Sequence, residues 1–240
     1  MRNLTVLALI LWFGVGSLIA NDPLVINAGI GGNSTEDLLK RLEKDVLSLN
    51  PSLVALMVGT NDMLNSRKSV PLDQYQANLN RLVQSITESG AKLVLMTIPP
   101  CNERLLLTRH PAKFFEDLSP AERIDAANII IRSFGNTNSV RVVDVHQLIS
   151  GRGHQNEKTS LLRNEANSRS KDGVHPTAEA YELIAEAIYL AMQKADWTKA
   201  RPIICFGDSI TFGSGMKGSG TAASDAETYP ARLASRIDSP

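Results

Sequence analysis

The chain has 240 residues, 43% of them hydrophobic and 21% charged, and its 25 Lys and Arg balance its 25 Asp and Glu. This length suits one domain and is ample for a buried core. A formal charge of zero offers no basic face to a nucleic-acid backbone, so nucleic acid is excluded as a partner.

The first element in chain order is an apolar leader. Arg2 precedes an uncharged stretch that ends in small residues near Ala20. At about 1.5 Å per residue, the apolar part from Leu4 onward reaches roughly 25 Å, short of the roughly 30 Å hydrocarbon core of a bilayer. The leader therefore predicts a signal peptide over 1–20 and a secreted or periplasmic protein without stable membrane association after cleavage. An uncleaved anchor is the alternative.

Beyond the leader, apolar runs alternate with segments of helical periodicity over residues 21–240. The strand-like runs are 24–27, 53–59, 92–98, 140–145 and 203–206. The helix-like segments are 34–49, 72–89, 120–134, 177–194 and 229–237. This alternation predicts a single three-layer α/β domain whose five-stranded sheet is mostly parallel and doubly wound, as in flavodoxin.

Three longer segments, 99–120, 150–173 and 212–227, show no regular periodicity. Long connections in a compact domain are often functional, so each is a candidate wall of a substrate site, with a disordered surface loop as the alternative. Cys101 and Cys205 do not make a disulfide framework, and Cys205 is expected to be a small buried strand residue; whether the two pair stays open.

Polar residues follow the carboxyl ends of several predicted strands, where a doubly wound sheet binds its ligands. The first strand runs into a glycine-rich turn at 29–32. The others are Asn61 and Asp62 after the second strand, Asp172 and His175 before a predicted helix, and Asp208 and Ser209 after the last strand. Each alone could be a turn or cap residue, but their occurrence together favours a site.

A common purpose for these residue types is nucleophilic catalysis. A serine hydroxyl becomes a good nucleophile when an imidazole takes its proton, and the imidazole needs a carboxylate to orient it. Asp172 and His175 can supply orienter and base from one loop. A tetrahedral oxyanion then requires donors, which glycine N–H groups near Gly32, an Asn side chain and the nucleophile's own N–H can provide.

Four short blocks, "FGDSIT", "NAGIGGNS", "GTND" and "DGVHP", resemble those of the SGNH, or GDSL, hydrolase superfamily. The resemblance implies that Ser209 is the nucleophile, His175 the base and Asp172 its orienter. Asp208 is expected to support the nucleophile turn by hydrogen bonding, and Asp62 is a second supporting residue. No cofactor or metal is expected.

The same resemblance implies an oxyanion hole made by the Ser209 N–H, the Asn61 side chain and a glycine N–H. Gly32 is the preferred glycine because it precedes a polar pair, as the family glycine does, with Gly31 as the alternative.

One departure from the family concerns order: its Gly-Asp-Ser block comes first, whereas here it comes last. We therefore expect a circular permutation, with the first family strand and helix at 201–238. The strand at 203–206 should insert between the strands at 24–27 and 53–59, because its continuous apolar run suits a central position.

These features predict a serine esterase that hydrolyses short-chain acyl esters through an acyl-enzyme. By resemblance, an O-deacetylase acting on acetylated carbohydrate is the first expectation, with a lipase, lysophospholipase or thioesterase and a catalytically silent carbohydrate-binding relative as alternatives. A dinucleotide-binding domain is disfavoured, because Ser34 stands where the fingerprint needs its last glycine. An α/β-hydrolase is disfavoured because Thr211 interrupts the G-x-S-x-G elbow. Spacing of His110, His146 and His154 shows no metal-ligand pattern.

Overall fold

The structure, a computed structural model, describes residues 24–152 and 158–238. The predicted signal peptide at 1–20 and His154 lie outside these ranges. None of the helices within them is both long and apolar enough to cross a membrane. Cys101 and Cys205 are buried and unpaired.

A single parallel sheet organises the described residues. Its strands are β1 (Val25–Gly29), β2 (Leu53–Met57), β3 (Lys92–Met96), β4 (Val140–Val143) and β5 (Ile203–Gly207). Their order across the sheet is β1-β5-β2-β3-β4. When β5 is counted first, this becomes 2-1-3-4-5, the order of flavodoxin-like folds. The predicted fold class and all five strands are confirmed.

Helices cover both faces of the sheet. The α-helices are α1 (Thr35–Asp45), α2 (Thr60–Leu64), α3 (Leu72–Glu88), α4 (Glu103–Leu106), α5 (Pro120–Ser133), α6 (Val145–Ser150), α7 (Glu165–Ser168), α8 (Ala178–Lys194), α9 (Ser209–Phe212) and α10 (Tyr229–Asp238). The long ones, α1, α3, α5, α8 and α10, correspond to the five predicted helices. The short ones flank the carboxyl ends of strands or interrupt the connections.

Alternate side chains of each strand enter two separate cores. In β2, Val54 and Leu56 pack in the layer that contains residues of α1, α3 and α5. Leu53, Ala55 and Met57 pack on the other side, with residues of α8 and α10. All five residues of β2 are buried, which is why this strand is a continuous apolar run in the sequence.

The last strand occupies the position that its composition predicts. Ile204 is in register with Ile26 of β1 on one side and with Val54 of β2 on the other. Every residue of β5 is buried. The expectation that this strand inserts between the first two is therefore confirmed, and its carboxyl end lies in the middle of the sheet edge where ligands bind.

Several predicted boundaries need correction. The strands expected at 53–59 and 92–98 end at Met57 and Met96. The strand expected at 140–145 stops at Val143, because Asp144 accepts a hydrogen bond from Gln147 N (3.0 Å) and begins α6. The segment at 99–120, expected to be irregular, contains α4 and a 3₁₀ turn, Ala112–Phe115. The segment at 150–173 contains α7.

Candidate active site

The central feature of the site is a chain of hydrogen bonds through one histidine. His175 Nε2 lies 2.9 Å from Ser209 Oγ, and His175 Nδ1 lies 2.9 Å from both carboxylate oxygens of Asp172. The carboxylate accepts, so Nδ1 carries the proton and Nε2 is free to accept from the serine hydroxyl. The arrangement can move a proton from Ser209 to His175.

The carboxylate of Asp172 is held in its ionised form. Burial alone would raise its pKa, but the side chain and charge of His175, together with the backbone N–H groups of Val174 and His175, outweigh burial and lower the pKa to about 2. Those two N–H groups donate to Asp172 Oδ1 at 3.1 and 3.0 Å. A fixed negative charge therefore faces the imidazole.

Two arginines, which sequence analysis did not single out, also reach Asp172. Arg163 Nη1 lies 3.3 Å from Asp172 Oδ2 and donates to the Ser214 carbonyl at 3.2 Å, on a side chain that is 15% exposed. Arg109 Nη2 donates to the Asp172 backbone carbonyl at 2.6 Å. Both arginines lie in segments predicted to be irregular, so no periodicity marked them.

A short antiparallel pairing holds the loop that carries Asp172 and His175. Arg163 N donates to the His175 carbonyl at 2.9 Å, and Gly173 N donates to the Arg163 carbonyl at 2.8 Å. Leu162 and Pro176 form the bridge between the two segments. Pro176 lies in this pairing, and the next helix begins at Ala178 with Thr177 as its N-cap.

A tight turn at the end of β5 presents Ser209 at the sheet edge. Asp208 caps α9, and its Oδ1 accepts a hydrogen bond from Ile210 N at 2.8 Å. The turn packs so closely on neighbouring strands that a Cβ on Gly207 would lie 2.3 Å from Met57 O, and one on Gly29 would lie 2.1 Å from Phe212 N. Both positions therefore require glycine.

Two further aspartates are buried here, Asp208 within this turn and Asp62 in α2. Burial raises the pKa of Asp208 to about 6, against the opposing effects of the Ile210 N–H and the His175 charge. Burial likewise raises the pKa of Asp62 to about 6, although Thr35 donates to it through both its N–H (3.0 Å) and its hydroxyl (2.5 Å). Asp62 thereby ties the start of α1 to α2, which carries Asn61.

The Asn61 side chain is oriented on both of its polar atoms. Its Nδ2 donates to the Asn33 carbonyl at 3.0 Å, and its Oδ1 accepts from Asn65 Nδ2 at 3.1 Å. An amide nitrogen carries two hydrogens, so one remains available. Gly32 precedes Asn33 in the same turn, with a φ of +79° that favours glycine.

Arg41 of α1 is a further residue that sequence analysis missed. Its guanidinium donates to Asn33 Oδ1 (2.7 Å), to the Ala28 carbonyl (2.9 Å) and to the Gly207 carbonyl (2.8 Å). It thus joins the ends of β1 and β5 to the turn that contacts Asn61. An arginine on an amphipathic helix is ordinarily solvated, so the sequence carried no signal of this role.

A small cavity of about 120 Å³ opens beside the serine. Asn61, His175 and Ser209 all line it, whereas Gly32 does not. The remaining lining residues are Thr60, Leu64, Asn65, Leu106, Arg109, His110 and Val174. The structure thus brings the predicted serine, histidine and asparagine to one space.

Metal ligands do not cluster in the described part of the chain. Within residues 24–152 and 158–238, no three His, Cys, Asp or Glu side chains are placed to hold a metal ion. His110 lines the cavity, and His146 Nε2 lies 3.8 Å from Asp125 Oδ1.

Comparison with known families finds one match over most of the chain. The sequence profile of the GDSL-like lipase/acylhydrolase family matches residues 11–183. The match ends before β5 and so does not include the Gly207-Asp208-Ser209 turn.

Curated relatives align with parts of the chain. An uncharacterized lipoprotein, YqeF, of Bacillus subtilis is 31% identical over 130 residues, which is 50% of this chain and 54% of that protein. An acetylxylan esterase of Geobacillus stearothermophilus is 38% identical over 80 residues, 30% of this chain and 36% of that enzyme. The chain therefore spans about half, or less, of the length of these relatives.

Solved structures share the fold. A GDSL-like lipase from Bacteroides thetaiotaomicron superposes with a TM-score of 0.52 at 24% identity, covering 70% of this chain and 74% of that one. An acetyl xylan esterase, AlAXEase, superposes with a TM-score of 0.51 at 25% identity, covering 68% and 78%.

Proposed function

The chain belongs to the GDSL-like lipase/acylhydrolase family, and from this membership we propose that it is a serine esterase that removes short acyl groups, acetyl first, from carbohydrate esters. The observation that carries the proposal is the hydrogen-bonded chain from Ser209 Oγ through His175 to Asp172, with each contact at 2.9 Å. This chain has the geometry of an activated serine nucleophile.

In the proposed mechanism, Ser209 Oγ attacks the ester carbonyl while His175 Nε2 takes its proton. Asp172, ionised at neutral pH, stabilises the imidazolium that forms. His175 then donates the proton to the oxygen of the leaving alcohol, and the acyl group remains on Ser209. In the second half of the cycle, a water molecule deprotonated by His175 attacks the acyl group, and His175 returns the proton to Ser209 Oγ as the acid leaves.

The oxyanion of each tetrahedral intermediate requires donors that are already in place. We assign the free hydrogen of Asn61 Nδ2 to this role, because its partners Asn33 and Asn65 fix the amide plane. The backbone N–H groups of Ser209 and Gly32 complete the proposed set. Asp208 and Asp62 support the turns that carry these donors.

The size and lining of the cavity support a small acyl group and a polar alcohol. A cavity of about 120 Å³ is of the size expected for an acetyl group and the start of the alcohol. Asn65, Arg109 and His110 offer polar contacts, while Leu64 and Leu106 offer apolar ones. The relatives that are acetylxylan esterases favour a carbohydrate as the alcohol.

The test is hydrolysis of p-nitrophenyl esters from acetate to decanoate by the wild type and by Ser209→Ala. We expect the highest kcat/KM with acetate and a loss of about 10⁴-fold or more in Ser209→Ala. Ser133→Ala, on the exposed end of α5, is the matched control and should retain wild-type activity.

Other outcomes distinguish the alternatives. A maximum at decanoate would retain the mechanism and make the protein a lipase. Equal rates for the wild type and Ser209→Ala would refute the nucleophile, and failure of a fluorophosphonate to label Ser209 would then indicate a catalytically silent fold.

Export and motif order complete the proposal. A signal peptide at 1–20 would place the enzyme outside the cytoplasm, and the mass of the mature protein tests its removal.

A circular permutation is supported by the central position of β5 and by a family match that ends at residue 183. A rearranged gene that encodes 201–238 ahead of residue 22 should yield an enzyme of similar activity.

A further inference from the structure

The hydrogen-bonding groups that line the cavity beside Ser209 are unevenly matched. Apart from the residues assigned to the esterase mechanism, several side chains there carry donor hydrogens with no partner in the described chain, including the Thr60 hydroxyl and the second amide hydrogen of Asn65. Arg109 is the permanently charged one among them, and His110 follows it in the chain. No Asp or Glu lines the cavity. A ligand with acceptor oxygens would therefore complete these contacts.

Arg109 is held by only one nitrogen of its guanidinium. Its Nη2 donates to the Asp172 backbone carbonyl at 2.6 Å and lies 3.9 Å from Asp172 Oδ1. Within the described residues, its Nη1 and Nε have no partner. Nη2 carries a second hydrogen, which together with Nη1 or Nε leaves one guanidinium edge that matches a carboxylate in geometry and charge.

His110 presents a second donor. The Ser66 N–H donates to His110 Nδ1 at 3.4 Å, which assigns the proton of the neutral ring to Nε2. Burial, followed by the charges of Arg109 and Arg67, lowers the pKa of His110 and favours that neutral form. Nε2–H has no acceptor among residues 24–152 and 158–238.

Arg67 adds a second positive charge near His110. Its side chain is exposed and forms no ion pair with any Asp or Glu of the described chain, although its backbone N–H donates to Asn65 Oδ1 at 3.1 Å. Arg104, on the same connection as Arg109, is by contrast neutralised by Glu165 at 3.2 Å. Arg109 reaches a carboxylate only at 3.9 Å, on Asp172, and Arg67 reaches none, so positive charge predominates around His110.

We propose that Arg109, with His110 and Arg67, forms an anion subsite, and that the preferred ester carries a carboxylate close to its scissile carbonyl. The subsite deepens the proposed esterase function and rests on it. The carboxylate can belong to the alcohol, as in an acidic sugar, or to the acyl group, as in a dicarboxylic half-ester. Either source offers the two acceptor oxygens and the negative charge that the cavity lacks.

Binding is measured by calorimetry on the Ser209→Ala background, so that no ester is turned over. Alcohol-side recognition is tested with 4-acetoxybenzoate against its methyl ester. Acyl-side recognition is tested with phenyl hydrogen succinate against its methyl ester. In at least one pair, the anion should bind about tenfold tighter at low ionic strength, and 0.5 M NaCl should reduce that ratio.

Three further substitutions on the same background locate the effect. Arg109→Met should bring the ratio close to one, and Arg67→Met should lower it about two- to threefold. Arg104→Met, which makes the same charge change outside the cavity, is the matched control and should leave the ratio unchanged.

The subsite is refuted if neither anion binds tighter than its methyl ester, or if Arg109→Met and Arg104→Met have equal effects. Failure of the esterase function appears separately. A wild type that hydrolyses neutral esters without any carboxylate preference in binding retains the function and loses the subsite. If the wild type shows no turnover but its Ser209→Ala variant still binds carboxylates more tightly, the subsite is retained and the esterase function is lost.

Discussion

Two regions that meet at Ser209 each bury an aspartate, and the pKa values of the two side chains are shifted in opposite directions. In the loop above the serine, Asp172 has a pKa lowered to about 2. In the turn below it, Asp208 has a pKa raised to about 6. Asp172 receives two backbone N–H groups and the imidazole, while Asp208 receives one N–H on Oδ1 from Ile210.

The difference shows that burial and the groups around a carboxylate decide its charge together. Asp172 faces the imidazole of His175, whereas Asp62, which is fully buried, keeps a raised pKa although Thr35 donates to it. Each pKa unit corresponds to about 1.4 kcal/mol between the two protonation states. The carboxylate of Asp172 is therefore suited to stabilise an imidazolium, whereas that of Asp208 is suited to hold the backbone of the turn that carries Ser209. Four predictions test this division, from the largest expected effect to the smallest.

Removing the charge of Asp172 should lower kcat the most. Asp172→Asn leaves the size of the side chain unchanged but favours the wrong tautomer of His175, and should lower kcat by about 10⁴-fold. Asp208→Asn is the matched comparison and should lower kcat by about tenfold or less. Steady-state kinetics at pH 7.5 measures both, and a greater loss in Asp208→Asn would reverse the division.

Asn61, which lines the cavity beside Ser209, should contribute one hydrogen-bond donor to the transition state. Asn61→Ala should lower kcat by about 10² to 10³-fold with little change in KM, because the oxyanion exists only after attack. Asn65→Ala leaves the Asn61 donor in place but removes the bond that orients it, and should cost less. A wild-type kcat in Asn61→Ala would remove this residue from the mechanism.

Stability should respond to pH in opposite senses in the two regions. Between about pH 4 and 6, folded Asp208 and Asp62 hold protons that the unfolded chain has lost, so the free energy of unfolding should fall as pH rises, by up to about 3 kcal/mol per group. Asp172 contributes stability above about pH 4 that is lost as pH falls toward 2.

Urea denaturation of the wild type and Asp208→Asn at pH 4, 5 and 6 checks the first part. Asp208→Asn should show roughly half the wild-type slope. Identical slopes would mean that Asp208 is ionised throughout this range.

The smallest effect is expected from the arginine that joins the two regions. Arg163 bridges Asp172 and the Ser214 carbonyl, so we treat it as a positioning residue. Arg163→Met should lower kcat about tenfold with KM unchanged, and Arg163→Lys should recover part of the loss. A Cβ on Gly215 would lie 1.8 Å from Arg163 Nη1, so Gly215→Ala should also lower kcat, with an added loss of stability because Gly215 has a φ of +81°. Loss of folding stability without the kcat effect would make Arg163 purely structural.

The sheet could be predicted from the sequence because its strands are short apolar runs buried on both faces. The central position of β5 followed from the same property. Short helices such as α2 and α6 were missed, because one or two turns leave no periodic signal and depend on a local cap such as Asp144.

The reactive residue types were also predictable, because Ser209, His175 and Asp172 follow recognisable strand-end and loop motifs. Their electrostatics were not. Asp172 and Asp208 look alike in sequence, and their pKa values differ through the burial and the neighbouring groups that the fold supplies. Arg41, Arg109 and Arg163 were missed because each reaches carbonyls or a carboxylate distant in the chain.

The position of β5 also has a consequence during synthesis. When translation has passed Met57, β1 and β2 have both been made, but the strand that fills the gap between them begins at Ile203. At roughly 5 to 20 residues per second, the ribosome needs on the order of ten to thirty seconds to reach it. Throughout that interval, the inner edges of β1 and β2 lack their partner and can pair with other chains. Expression yield should therefore depend on chaperones that bind nascent strands before residue 203 emerges.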